Sequence, residues 1–416
     1  MKNTQRKRGV DMKYIRKKGM ECQIGFICTL LFQLCVISDA IIGSDPRLYL
    51  ISKVIMLAFF VSITVKLLLA GEVEVGAGVI IPALYMALTI LSCTWADNRG
   101  ASFSRLGTQI QLYMLFAFVY LLFMNNETTI RQYLDALYIA GIGMAIFVLY
   151  RYGISGILQG LSEGERIGGR ITNENSFGML FSRASLIAFY YSIKADKYTT
   201  RIIHILIATL LTLFAFTSGS KKAFLMILFG ILGISVLEYG ITNIWKTIIV
   251  FAVVLSGILI IIRTPMFATM NRRITSFYTG NKDASERVRQ HMIELSIELI
   301  KEKPLFGHGL RSFGVITGLG TYTHNNMTEV LVSTGIVGLV LFYLPYINIL
   351  IWGWNKGIVK KNSSALLFLM LALLYLVFGY GMVECYSKAY WLFYGIMIAL
   401  IDIDRRSILV TERCVV

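Results

Sequence analysis

The sequence predicts an all-α fold, a polytopic transmembrane helical bundle of about twelve helices forming one integral membrane domain over residues 1–416. Composition is the first reason: 56% of the 416 residues are hydrophobic and only 15% are charged, with a mean hydropathy of +0.67, so burial in lipid explains the chain better than a water-soluble core. The second is that apolar stretches of roughly 18–23 residues recur along the whole length, each long enough to cross a hydrocarbon core of about 30 Å as a helix. The third is the distribution of lysine and arginine between those stretches, which obeys a two-sided pattern.

The predicted spans are 22–42, 48–70, 76–95, 107–124, 131–151, 177–195, 202–217, 222–239, 244–262, 326–352, 364–382 and 389–403. An even number places both termini on one side. The basic amino end, Lys194, Lys197 and Arg201, then Lys356, Lys360 and Lys361, then Arg405 and Arg406 all fall on that side, which the positive-inside rule makes cytoplasmic. The expected location is therefore the cytoplasmic (inner) membrane, multi-pass, with cytoplasmic termini. The start, Met1 to Lys18, resembles a signal peptide, but the apolar run after it lacks a small-residue cleavage pattern and is long enough to span.

A formal charge of +16 would suggest nucleic acid in a soluble chain; here it follows membrane sidedness, and no nucleic-acid partner is expected. Cys22, Cys28, Cys35, Cys93, Cys385 and Cys414 show no paired spacing and lie mostly in apolar runs. They read as small packing residues, with neither a disulfide framework nor a metal site.

Three outer segments run against the charge rule. Residues 152–176 carry Arg166 and Arg170, the turn at 218–222 carries Lys221 and Lys222, and the long loop 263–325 carries nine Lys/Arg against five Asp/Glu. Cations placed against the bias suggest an anionic ligand at the outer face, although long loops cross membranes largely regardless of charge. Within the long loop, about 285–303 reads as one amphipathic helix ending before Pro304. At 100° per residue Val288, Met292, Ile293, Leu295, Leu299 and Ile300 share one arc, and Arg287, His291, Glu294, Glu298 and Lys301 the opposite one. Such a helix lies at the interface or caps the bundle. Arg289 falls inside the apolar arc and needs a partner there; a diphosphate held bidentately suits it, and the alternatives are snorkelling to water or a structural carboxylate.

Thr323-His324-Asn325-Asn326 opens the next span, which puts His324 at a helix amino terminus. The dipole there disfavours imidazolium, so His324 is a candidate general base at the level of a lipid-linked head group; alternatively, Thr323, His324 and Asn325 only cap the helix. His308, between two glycines, is a second candidate base, and His204 reads as structural. Arg183 lies about two turns inside the sixth span, where an arginine faces the bundle interior, a hydrated cleft or the interface. Glu384, in the short turn before the last span, can orient an arginine or accept a proton.

These motifs taken together, Pro304-Leu-Phe-Gly-His-Gly309, His324-Asn325, Gly335-Ile-Val-Gly338, Trp95, the Arg166–Asn175 segment and Thr217-Ser-Gly-Ser-Lys-Lys222, resemble the O-antigen ligase/polymerase superfamily, including the Wzy-like polymerases of surface polysaccharides. The resemblance covers most of the chain. It implies glycosyl transfer outside the cytoplasmic membrane from an undecaprenyl-diphosphate-linked oligosaccharide, without cofactor or obligatory metal. By position it makes Arg289 the helix arginine, or Arg287 if the register slips by two, His324 the loop histidine, and Lys221 a lysine where many members have arginine.

The expected mechanism has Arg289 hold the donor's diphosphate with help from Arg183, Lys221 and Arg166, while His324 takes the acceptor's hydroxyl proton. Arg287, Lys222, Arg170 and Asn325 are further candidates. A surface polysaccharide polymerase, of capsule or cell-envelope type, is the first reading. A flippase and a chain-length regulator are the pathway partners it implies. A ligase moving glycan to a lipid or protein acceptor is the second. A polytopic transporter is the rival of another class, disfavoured because no repeat relates the two halves.

Overall fold

A computed structural model describes all residues except 1, 43–48, 127, 169–172, 240–243, 265–266, 280–283 and 416. Every predicted span coincides with a helix. In order these are α1 (Lys2–Ile42), α2 (Tyr49–Ala70), a 3-10 turn (Ala77–Val79) leading into α3 (Ile80–Trp95), α4 (Arg99–Asn125), α5 (Ile130–Ser162), α6 (Glu174–Lys194), α7 (Tyr198–Thr217), α8 (Lys221–Tyr239) and α9 (Ile244–Ile262). After the long loop come α13 (Asn326–Gly353), α14 (Ser363–Phe378), a 3-10 turn (Glu384–Tyr386) and α15 (Lys388–Val415). No strand occurs among the described residues.

Seven helices among the described residues are long and apolar enough to cross a membrane by length and composition, with two shorter apolar helices at 244–260 and 363–378. Helix α6 is less apolar than these for a structural reason. Helix α6 packs against α5, α7 and α8 and buries most of its residues, so its serines and Arg183 face protein and are relieved of contact with hydrocarbon. By contrast, α2 is largely uncovered and exposes Leu50, Leu57 and Leu68, as a lipid-facing helix does.

The charged helix ends sort into two groups. Lys194 pairs with Glu238, Lys356 with Asp404 and Arg406 with Glu74 at one end of the bundle. Lys221 pairs with Glu286, Lys388 with Asp39 and His308 with Asp97 at the other. Helix α5 kinks at Gly153 (φ +64°), just past its predicted end.

The long loop holds three helices where one was expected: α10 (Ala268–Thr279), α11 (Ala284–Glu302) and α12 (Ser312–Ile316). Helix α11 matches the predicted amphipathic helix closely. It lies against α13, with Met292 and Leu299 buried on Phe313 and Val332 and with Leu295 and Ile300 beside them. Its predicted wet face is exposed throughout. Val288 departs from the prediction: it is 52% exposed, because it precedes the part of the helix that α13 and Phe313 cover, whereas Ser296 is fully buried and donates to the Met292 carbonyl (2.6 Å).

Helix α13 is broken at Gly335 (φ +65°). The segment 304–309 threads through the break: the amides of Ile336 and Val337 donate to the carbonyls of Pro304 (2.8 Å) and Leu305 (3.2 Å), and those of His308 and Gly309 donate to Val332 (2.7 Å) and Ser333 (3.0 Å). Three glycines make this approach possible. A Cβ on Gly307 would lie 2.6 Å from the Val332 carbonyl, on Gly309 2.5 Å from Ala96, and on Gly335 2.2 Å from the Leu305 carbonyl. Each of the three has positive φ, a conformation open to glycine and strained for L side chains.

Candidate active site

The site forms at the bundle end where α8, α11, α13 and the 384–386 turn meet. The α7–α8 turn comes first. Gly219 (φ +59°) reverses the chain, and Arg166 lies across it, its Nε donating to the Ser218 carbonyl (2.7 Å) and its guanidinium reaching Asn175 (3.3 Å) and Glu174 (3.6 Å). This places Lys221 and Lys222 in the first turn of α8, where the helix dipole disfavours cations by about 0.3–1 kcal/mol each. Both are held by other elements. Lys221 is buried and forms an ion pair with Glu286 of α11 (2.6 Å). Lys222 donates from Nζ to the Gly381 carbonyl and lies in the electrostatic neighbourhood of Arg289 and Glu384.

His324 stands between two fixed residues. The Thr323 amide donates to Glu329 Oε2 (2.9 Å), and Thr323 Oγ1 donates to the Asn325 carbonyl (2.8 Å). Asn325 caps α13, its Oδ1 accepting from the amides of Met327 (2.9 Å) and Thr328 (3.2 Å). His324 itself has φ +56°, and its ring packs on Tyr322 with centroids 4.5 Å apart. Half-burial, then the cations of Arg289 and Lys222, push the imidazole below its ordinary pKa. The direction agrees with expectation; burial and two neighbouring cations are its causes. Arg289 is half-buried on α11, and among the described residues it has no ion-pair partner within 4.0 Å.

Glu384 adjoins this group. It is 3% exposed, and its Oε1 has no hydrogen-bond partner among the described residues. Burial raises its carboxyl to about 7 against the opposing pull of Arg183, Lys222 and Ser387. Arg183 donates to the Tyr375 hydroxyl (2.5 Å) and the Met179 carbonyl (3.3 Å).

Arg289, Lys222 and His324 thus come together, with Glu384 and Arg183 next to them. Arg287 stands exposed elsewhere on α11. Arg170 lies outside the described residues. Of the two α8 lysines, Lys222 lies in the electrostatic neighbourhood of His324, while Lys221, the expected diphosphate contact, is engaged by the carboxylate of Glu286. Arg166 is similarly engaged with the α7–α8 turn and Glu174. His308, the second candidate base, is 2% exposed, with Nδ1 3.3 Å from Asp97 and Nε2 2.9 Å from the Leu299 carbonyl. His204 contacts Tyr138 (3.0 Å), in keeping with a structural role.

Sequence reading missed two supporting residues. Glu329 is buried, accepts from Thr323 and from the Tyr386 hydroxyl (2.9 Å), and so joins the His324 loop to the turn carrying Glu384. Arg105 stacks 3.6 Å over the Tyr386 ring. An acid inside an apolar run is the signal that marks Glu329.

An all-helical bundle with apolar spans and this polar cluster at one end defines an integral membrane protein. Residues 205–343 match the family described as O-antigen ligase (Wzy_C), in agreement with the O-antigen ligase/polymerase superfamily that the motifs resemble. The matched stretch contains Lys222, Arg289 and His324, while Arg183 and Glu384 lie outside it. No curated protein matches the chain. Ligase- or polymerase-type glycan transfer, with a lipid-linked glycan as substrate, is what this family suggests.

Proposed function

We propose that the protein is a surface polysaccharide polymerase that transfers undecaprenyl-diphosphate-linked oligosaccharide repeat units onto another lipid-linked glycan at the outer face of the cytoplasmic membrane. The observation that carries this reading is the meeting of Arg289 and Lys222 at His324, with no ion-pair partner for Arg289 among the described residues. Two basic side chains beside an imidazole of lowered pKa suit a substrate that brings its own negative charge and has a hydroxyl to be deprotonated.

In this reading the diphosphate of the donor lies against Arg289 and Lys222. His324 accepts the proton of the acceptor hydroxyl as its oxygen bonds to the anomeric carbon, and the bond from that carbon to the diphosphate oxygen breaks. The charge left on the departing diphosphate is met by the side chains of Arg289 and Lys222. A depressed imidazole pKa favours this role, because a base must be uncharged before it acts. No step runs through a metal or a cofactor. The excess of lysine and arginine at the chain end and at Lys194, Lys356 and Arg405 supports placing the opposite end of the bundle, and the site, outside the cytoplasm.

The test is purified protein in lipid supplied with lipid-linked repeat units. Longer glycans on the prenyl carrier support polymerisation. Glycan moved to a lipid or protein acceptor instead makes the protein a ligase, and unchanged chain length with uptake into vesicles makes it a transporter. A flippase and a chain-length regulator are the partners this reading implies.

A further inference from the structure

A cavity of about 310 Å³ opens between α1, α2, α5, α6, α14 and α15, beneath the 384–386 turn. The geometry points to a second binding site in this cavity, taking one neutral, hydroxyl-rich sugar ring, with Glu384 as its hydrogen-bond acceptor. The inference rests on the glycan-transfer reading for its place in the reaction, where the ring is a residue of the acceptor, but not for the binding itself.

Three observations carry it. First, Glu384 lines the cavity and is 97% buried by its 3% exposure, yet its Oε1 has no partner among the described residues. A buried acceptor left unsatisfied costs about 1–3 kcal/mol, which a sugar hydroxyl donating to Oε1 removes. Second, the charges lining the cavity balance: Arg183 and Lys388 are matched by Glu384 and Asp39, and Lys388 is tied to Asp39 at 2.6 Å. The Arg289–Lys222–His324 group has Glu384 beside Lys222 but no ion-pair partner for Arg289 among the described residues, so an anion is drawn there and a neutral polar molecule is favoured in the cavity. Third, Tyr133, Tyr375 and Ser387 add aromatic surface and hydroxyl groups to the lining, the mixture of apolar wall and few convergent polar groups that small-molecule sites use. The volume is at the lower end of the range of about 300–1,000 Å³ for such sites, which limits the occupant to a ring or little more.

The position completes the case. Glu384 acts electrostatically on both Arg183, at the cavity, and Lys222, beside His324.

Full-length protein in nanodiscs, probed with methyl pyranosides of glucose, galactose and N-acetylglucosamine by saturation-transfer NMR, tests the site directly. At least one pyranoside is expected to bind the wild type and Arg289→Ala alike, to lose its signal in Ala40→Phe, which fills the cavity, and to bind about tenfold more weakly in Glu384→Gln. A soluble, monodisperse Glu384→Gln keeps the test valid should Ala40→Phe fail to fold. Absence of binding by all three pyranosides, or binding unaffected by both substitutions, overturns the proposal. Glycan transfer measured on the same preparations separates the two readings: binding without transfer removes the proposed function and leaves the sugar site, and transfer without cavity binding does the reverse.

Discussion

Lys222, in the first turn of α8, and His324, just before α13, share one electrostatic neighbourhood: burial of the imidazole, then Arg289 and Lys222, lower its pKa, and the lysine also donates to the Gly381 carbonyl. The pH profile of transfer follows from this. An imidazole whose pKa lies below the usual value of about 6.5 remains a base as pH falls through that value. The acid limb of kcat/KM is therefore expected below 6.5 in the wild type. It should move up toward 6.5 in Lys222→Gln, because one of the two depressing charges is gone. An acid limb at or above 6.5 in the wild type, or one that stays put in the variant, removes His324 as the titrating base.

Arg289→Ala is expected to lower kcat/KM by about 10²-fold, the usual cost of removing one preorganised stabiliser of developing charge. His324→Ala should lower it by about 10²–10⁴-fold. Chain-length analysis of lipid-linked glycan, with membrane levels of the variants matched by blotting, is the measurement. Wild-type chain lengths in either variant would withdraw that residue from the mechanism.

Lys221 and Glu286 should behave as a pair. Lys221→Ala and Glu286→Ala are each expected to lower Tm through loss of the same buried contact, and the double variant should be no worse than the more damaging single one. Were Lys221 a diphosphate ligand, Glu286→Ala would leave transfer intact while Lys221→Ala abolished it; thermal melts and transfer assays on all three variants decide between the two.

Glu384 links pH to stability. Its folded-state pKa of about 7 lies above the ordinary carboxyl range, so between that range and 7 the folded protein holds a proton that the unfolded chain has released. Stability then declines as pH rises through this window. Glu384→Gln cannot ionise, and its Tm relative to wild type should rise from pH 5 to pH 8. A Tm difference independent of pH would mean that Glu384 titrates normally.

Gly335→Ala should cost about 1–3 kcal/mol, since the new methyl carbon would occupy the path of the Leu305 carbonyl and the backbone would keep a left-handed φ. The yield of monodisperse protein and its Tm report this; unchanged values would mean that the loop can leave the break at little cost.

Much of the fold was legible because lipid imposes length and apolarity on each crossing, and α11 was legible because its two faces differ in every turn. The site was readable only in part. Sequence order picked out Arg289 and His324 but offered no means of choosing between Lys221 and Lys222. Adjacent residues on a helix point about 100° apart, and which of them faces the imidazole depends on the rotation of α8, set by distant Glu286 and Gly381. His308, between two glycines, reads in the sequence as a second candidate base. The same glycines permit close packing against α13, and His308 is fixed by Asp97 and the Leu299 carbonyl.

The splice of residues 304–309 into α13 fixes that part of the bundle end. Backbone groups that a continuous helix would satisfy internally are satisfied there by the incoming segment, so withdrawing it would leave several amides and carbonyls unpaired at once. In the proposed reaction, the 304–309 segment and the histidine side of the cleft are therefore the fixed wall of the site.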